Sequence, residues 1–220
     1  MTARYVLKDS PDTVEKHFEC SIGDQFPPRY NIAPSQPIPI ICAGPTGRPA
    51  YRLVRWGFVP AWDRDGTWFA KAVVRIRAET ALEKQSFQGA WRRRRCLFPM
   101  NGFYVWENAK GDRAPRFVGL SRDAPLLAVA GLWEEWMGHD GSEMETAALL
   151  TVEADSASNV PRVPLIMKQA DYAEWLFADE LAAPGLMRFV AAPLPPTVSW
   201  AVGARVNNWR SEGADLIHPI

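Results

Sequence analysis

What this sequence lacks narrows its identity first. Among 220 residues there are only three cysteines and three histidines. Cys20, Cys42 and Cys96 form no Cys-x-x-Cys pair, and their odd number excludes a closed disulfide framework. Such usage points to a reducing compartment without structural zinc. His17, His139 and His218 stand far apart, with none of the spacings that build a metal site. There is no glycine-rich phosphate loop and no Gly-x-Ser-x-Gly nucleophile elbow, so neither metal nor cofactor is expected. No apolar run approaches 18 residues, which argues against a membrane span. The opening MTARYVLKDS lacks the apolar centre of a signal peptide, and a cytoplasmic protein is expected. Repeats, low-complexity tracts and linkers are missing too, so residues 1–220 are read as one domain.

Net charge is also missing, since 25 Lys and Arg balance 25 Asp and Glu. The balance is uneven along the chain. Residues 1–120 carry 19 basic against 11 acidic side chains, and residues 121–220 carry 6 against 14. This asymmetry fits one basic face, as phosphate binding requires, or two halves that neutralise each other in the fold.

What the chain does have is 10 tryptophans and 19 prolines, a mixture that predicts many short elements joined by tight turns. Ser10-Pro11-Asp12 reads as an N-cap, a proline at the first helical position and an acid in the first turn. Val14 and Phe18 then mark the buried stripe of a helix ending near Cys20. The stretch PPRYNIAPSQPIPI (27–40) is too proline-rich for a central strand and is expected to run extended over the surface. Residues 51–62 read as a strand entering a turn at Pro60. Residues 78–95 are helical in composition with a break near Gly89. Residues 96–106, 116–120, 126–136, 146–154 and 198–206 read as strands, and 169–177 as a second helix. The fold class is α+β, with a dominant antiparallel, barrel-like sheet and short peripheral helices.

The segment WRRRRCLFPMNGFYVWE (91–107) sets four arginines against an apolar run. Arg92–Arg95 fall at a helix C-terminus, where cations meet the negative end of the macrodipole. Consecutive helical side chains point about 100° apart, so they do not make one patch. A structural use for most of them is expected.

Longer strings carry more. PRYNIAPSQP (28–37), RWGFVPAW (55–62), RAET (77–80), RRRRCLFPMNGFY (92–104), AGLWEEW (130–136), RVPLIM (162–167), RVNN (205–208) and DLIHPI (215–220) together resemble the SOS-response-associated peptidase (SRAP) family, in its order and spacing. The resemblance covers essentially the whole chain. It implies a chemistry in which an N-terminal cysteine, exposed by loss of the initiator Met, condenses with the aldehyde of an abasic site in single-stranded DNA. The amine forms an imine and the thiol closes a thiazolidine ring, while an Asn, a Glu and a His position and shuttle protons.

The chain departs from that pattern at each of these positions. Thr2 stands for the cysteine, Arg75 for the asparagine, Val105 for the glutamate and Val160 for the histidine. A threonine hydroxyl is a weak nucleophile without a base beside it. The valines carry no proton, donor or acceptor, and an arginine is permanently charged. The family's ring-closing cross-link is therefore not expected. The positions that by resemblance contact DNA are retained: Arg4, Arg77 and Arg162 on phosphates and Trp68 against a base, with Arg75 an added cation. Their alternative uses are an internal ion pair of Arg77 with Glu79 or another acid, and core packing for Trp68. Glu107, two residues past Val105 on the same strand face, is either a substitute carboxylate or a solvated strand-end charge. Cys96 is read as a packing residue.

The expected function is recognition of single-stranded or gapped DNA, abasic sites included, by a monomer with the family's chemistry removed. Two other readings stay open. One is an enzyme in which Thr2, freed of Met1, uses its amine for reversible imine and lyase chemistry at abasic sites. The other is a protein-interaction or decoy role without DNA contact.

Overall fold

A computed structural model describes residues 3–71, 73–109, 112–154 and 160–220, with the side chains of all of these except 108, 109, 112 and 113. The start of the chain follows its local chemistry. Strand β1 (Tyr5–Leu7) is followed by helix α1 (Pro11–Phe18), whose N-cap Ser10 accepts the Thr13 N–H at 3.3 Å. Val14 and Phe18 form its buried stripe. Next come β2 (Arg29–Ile32), β3 (Pro37–Ala43), β4 (Pro49–Trp56) and β5 (Arg75–Arg77), then α2 (Gln85–Arg93). The middle of the chain holds β6 (Arg95–Met100), β7 (Gly102–Ala109), β8 (Asp112–Gly119), β9 (Leu127–Met137) and β10 (Glu143–Glu153). It ends with β11 (Arg162–Pro164), β12 (Ile166–Met167), α3 (Tyr172–Phe177), α4 (Met187–Ala191) and β13 (Val198–Ala201).

Five strands close on themselves. β4 pairs β3, β3 pairs β6, β6 pairs β9 and β9 pairs β10, all antiparallel. β10 then lies parallel to β4 through Thr146 opposite Arg55 and Ala147 opposite Trp56, completing a mixed barrel. An outer sheet in the order β13-β8-β7-β1-β2 packs against it. Tyr5, Phe103 and Val105 on one face of the outer sheet join the barrel core, while Val6, Tyr104 and Phe117 build a small second cluster with Trp200. The alternation of these residues along β1 and β7 is the period-two pattern of a strand buried on both faces. No described helix is long and apolar enough to cross a membrane. The α+β class and barrel-like antiparallel core expected from sequence are the observed ones.

Four local expectations are corrected. The proline-rich stretch is no surface excursion, because β3 is a barrel strand with Ile38, Ile40, Ile41 and Cys42 fully buried. Its ladder to β6 begins only at Ile41, beyond Pro37 and Pro39, so neither proline removes a bond from the doubly paired part. Residues 96–106 are two strands in two sheets. At Gly102, between them, a Cβ would lie 2.3 Å from Phe117 and 2.5 Å from the Val118 carbonyl, an approach that only glycine permits. α2 runs unbroken through Gly89, which faces open space. The last strand stops at Ala201, and Ala204–Asn207 form a 3-10 turn.

The four arginines now have separate uses. Arg92 and Arg93 lie in the last turn of α2, and Arg93 pairs with Glu180. Arg94 reaches Glu134 at 2.9 Å and Glu135 at 3.4 Å. Arg95 is almost fully buried and, among the described residues, donates only to backbone carbonyls: Trp91 at 2.7 Å, Arg92 at 2.6 Å, Trp175 at 2.6 Å, and Ala178. These are orphan carbonyls at the C-terminal ends of α2 and α3, so one guanidinium caps two helices and docks both on β6. Arg95→Met would leave those acceptors buried without donors. An unsatisfied buried polar group costs about 1–3 kcal/mol, so a loss of about 3 kcal/mol or more is expected. Urea unfolding at constant m-value checks it, and Arg95→Lys should recover part of the loss.

Candidate nucleic-acid interface

The second half of β10 brings three of the predicted arginines together. On β5, Arg75 and Arg77 flank the buried Ile76 and so share the opposite face. β5 runs parallel to β10 with Arg75 opposite Leu149 and Arg77 opposite Thr151. On the other side of β10, β11 runs antiparallel with Arg162 opposite Glu153 and Pro164 opposite Thr151. Paired residues in a ladder point the same way, so Arg75, Arg77, Thr151, Glu153 and Arg162 all project from one face of three adjacent strands. β5 and β11 are two strand spacings apart, about 10 Å.

The arginines are not equivalent. Arg77 is exposed. Arg75 is half-buried, and loss of solvent lowers its pKa from the ordinary guanidinium value. Arg162 donates to the Thr151 hydroxyl at 3.1 Å, the Thr151 carbonyl at 2.6 Å and Glu79 at 2.5 Å. The other oxygen of Glu79 accepts the Glu153 N–H at 3.0 Å. Glu79, offered by the sequence as the internal partner of Arg77, is thus the partner of Arg162. Burial would push the Glu79 carboxyl up, but the bonds from Arg162 and from backbone N–H groups outweigh it and hold the pKa below its ordinary 4.5.

Trp68 sits on the loop that leads from β4 into β5. The ends of that loop are pinned where Phe58 N–H meets the Val73 carbonyl at 2.9 Å and the Trp56 indole meets the Val74 carbonyl at 3.0 Å. Trp68 lies in a 3-10 turn, Thr67–Lys71. Its ring meets Trp62 edge-on at 5.7 Å and Phe87 at 6.2 Å, and the Lys71 ammonium lies 4.3 Å from its centroid. It is half-buried, with one edge on the core and Trp62, more than half exposed, beside it.

Arg4 is engaged elsewhere. It donates to the Val206 carbonyl at 3.1 Å and approaches Asn31 at 3.5 Å, while its Nε is buried without a hydrogen-bond partner among the described residues. Asn31 is fully buried and donates to the carbonyls of Val206, Asn208 and Ser211. The pair therefore knits β1 and β2 to the C-terminal segment.

Thr2 lies outside the described residues. The Tyr104 N–H donates to the Arg4 carbonyl at 3.0 Å, which extends the antiparallel pairing of β1 with β7 by one residue to Arg4. Val105 and Val160 are 3% and 7% exposed and belong to the main core. Glu107 is no free strand-end charge. It is half-buried and pairs at 3.5 Å with Arg116, which also donates to the Ser199 carbonyl at 3.1 Å. Cys96 is fully buried, and burial pushes its thiol well above the ordinary range, which fits packing rather than reactivity. Among the described residues no group of three His, Cys, Asp or Glu side chains could hold a metal. Sequence reading missed the Glu79 clasp, because nothing in the string RAET indicates which arginine its carboxylate will meet.

The sequence profile described as "SOS response associated peptidase (SRAP)" matches residues 1–209. The chain is 30% identical to the abasic site processing protein YoaM of Bacillus subtilis over 99% of its own length and 97% of that protein. It is 24% identical to the abasic site processing protein YedK of Escherichia coli, over 87% and 85% of the two chains. A crystal structure of a Bacteroides thetaiotaomicron protein superposes with a TM-score of 0.82 at 20% identity, covering 99% of both chains, and so shares the fold.

The depressed Glu79 pKa has a defined consequence for pH. Its stabilisation is fully present above the unfolded value of 4.5 and is lost as pH falls through the lower folded value. Glu79→Gln should remove about 1 kcal/mol at neutral pH, since the carboxylate is partly solvated. The difference between the two proteins should shrink toward zero in strong acid. Thermal melts from pH 7 to pH 3 check this.

Proposed function

The chain belongs to the SOS response associated peptidase family, and from that premise we propose that it binds single-stranded DNA, abasic sites included, without the covalent step that the family resemblance implies. The observation that carries the proposal is the row of Arg75, Arg77 and Arg162 on one face of β5, β10 and β11, with the Trp68 loop feeding directly into it. Guanidinium on phosphate and aromatic on base are the two interactions that sequence-tolerant single-strand binding needs. The named roles of YoaM and YedK in abasic site processing favour the same class of ligand. We assign the protein to the cytoplasm and take the binding unit to be a monomer.

The reacting set argues for binding over chemistry. General acid–base work needs a group that gains or loses a proton within reach of the substrate. Val105 and Val160 have neither a proton to exchange nor solvent around them. Arg75, at the asparagine position, adds positive charge that suits a phosphate and holds its proton throughout the working pH range. Glu107, a carboxylate on the same strand face as Val105, is committed to Arg116. The role left to these residues is to shape and charge a groove.

Each phosphate neutralised on a single strand contributes about −0.7 to the log–log salt slope, so two to four arginine contacts give about −1.5 to −3. Single-stranded DNA should bind more tightly than blunt duplex. Arg77→Ala should weaken binding to all sequences and flatten the slope by about 0.7. Fluorescence anisotropy titrations at several salt concentrations measure both. An interaction that ignores salt, or none at low salt, would overturn the DNA reading and favour a protein-interaction role.

A further inference from the structure

We propose that Asp63 is a positioning residue that holds Trp68 in the orientation a DNA base stacks on. The inference rests on the DNA-binding reading and goes beyond it, because neither the family strings nor the arginine row involves this side chain. Asp63 is 6% exposed, although it lies on a loop beside the exposed Trp62. One carboxylate oxygen accepts the Thr67 hydroxyl at 2.6 Å and the other accepts the Trp68 N–H at 2.7 Å. The Asp63 carbonyl accepts the Trp136 indole N–H at 2.5 Å and the Gly66 N–H at 3.0 Å. Trp136 belongs to β9, a barrel strand, and its ring also meets Phe69 edge-on at 4.8 Å. Asp63 therefore ties the turn carrying Trp68 to a rigid part of the fold, as a capping side chain does at a helix start.

The chemistry of the site supports this use. Burial would push the Asp63 carboxyl up, yet its hydrogen bonds from Thr67 and Trp68 outweigh that and lower its pKa, so the acid is ionised at neutral pH. A bare carboxylate close to a phosphate chain would repel it. Here both oxygens are turned inward onto the turn. Stacking on an aromatic ring gains most when the ring is already fixed, because no side-chain freedom is then lost on binding.

Two explanations of Asp63 predict opposite signs. If it acted through charge alone, Asp63→Asn would tighten DNA binding. If it positions Trp68, the same change should weaken single-stranded DNA binding about fivefold and leave the salt slope unchanged. Trp68→Ala should weaken binding on the order of tenfold, and adding Asp63→Asn to it should cost little more, because both act through one ring. A second readout needs no DNA. In protein labelled with 5-fluorotryptophan, with the Trp68 line assigned by Trp68→Phe, Asp63→Asn should shift and broaden that fluorine resonance. Thr67→Val, which keeps the charge and removes one bond, should move the same line less and serves if Asp63→Asn folds poorly. Equal or tighter DNA binding by Asp63→Asn, or losses that add to those of Trp68→Ala, would overturn the proposal. An unmoved Trp68 line would do so as well. An unchanged affinity in Trp68→Ala would instead overturn the stacking reading itself, leaving the fluorine line to decide whether Asp63 fixes the ring.

Discussion

Strand β10 is shared between two tasks, and most of the architecture follows from that division. Its first half lies between β9 and β4 and closes the barrel through a short parallel pairing. Its second half leaves both neighbours and takes up β5 on one side and β11 on the other. The barrel thus supplies a rigid base, and the projecting end of one of its strands carries the arginine row. Alternation along β10 sets the direction of the row, since a slip of one residue would turn all three arginines to the other face. Glu79 then fixes the outer edge by bonding both the Arg162 side chain and the Glu153 backbone.

Charge is distributed by the same logic. The basic first part and acidic second part of the sequence are joined by ion pairs across the fold: Arg52 with Glu145, Arg93 with Glu180, and Arg94 with Glu134 and Glu135. Partly exposed pairs of this kind contribute little to stability, but they use up much of the asymmetry locally. Arg75, Arg77 and Arg162 share one face of β5, β10 and β11 with Glu153. Arg162 is already paired with Glu79, whereas Arg77 is exposed, so in the proposed binding Arg77 has more to offer a phosphate. Asp63, by contrast, is held by hydrogen bonds from the Thr67 hydroxyl and the Trp68 N–H rather than by an ion pair.

Legibility of the sequence varied with the range of the interaction involved. The Ser10 cap and the helical register of Val14 and Phe18 depend on neighbours a few residues away, and both are legible in the sequence. The proline-rich β3 was misread because its acceptability depends on where the β6 ladder starts, a fact of the three-dimensional pairing. The split between β6 and β7 was hidden because both are apolar and only the crowding at Gly102 reveals the change of sheet. The arginines at 75, 77 and 162 were named from the family strings, yet their common face needed β10 between them. Partner choice was the least legible level: Glu79 with Arg162, Glu107 with Arg116 and Arg4 with the Val206 carbonyl all join residues that sequence spacing does not relate. The turn-capping bonds of Asp63 are local, and its spacing of four to Thr67 is a signal that the sequence contains.

We propose that this chain binds single-stranded DNA without the covalent step that the family resemblance implies. Val105 and Val160 are buried apolar side chains, and the three cysteines, Cys20, Cys42 and Cys96, are all buried. The most direct test uses one sample of the native protein with single-stranded DNA carrying an abasic site, divided between a native gel and a denaturing gel run after boiling without reductant. The account predicts a salt-sensitive shift in the native gel and only free DNA after boiling. A protein–DNA band that survives boiling would contradict it.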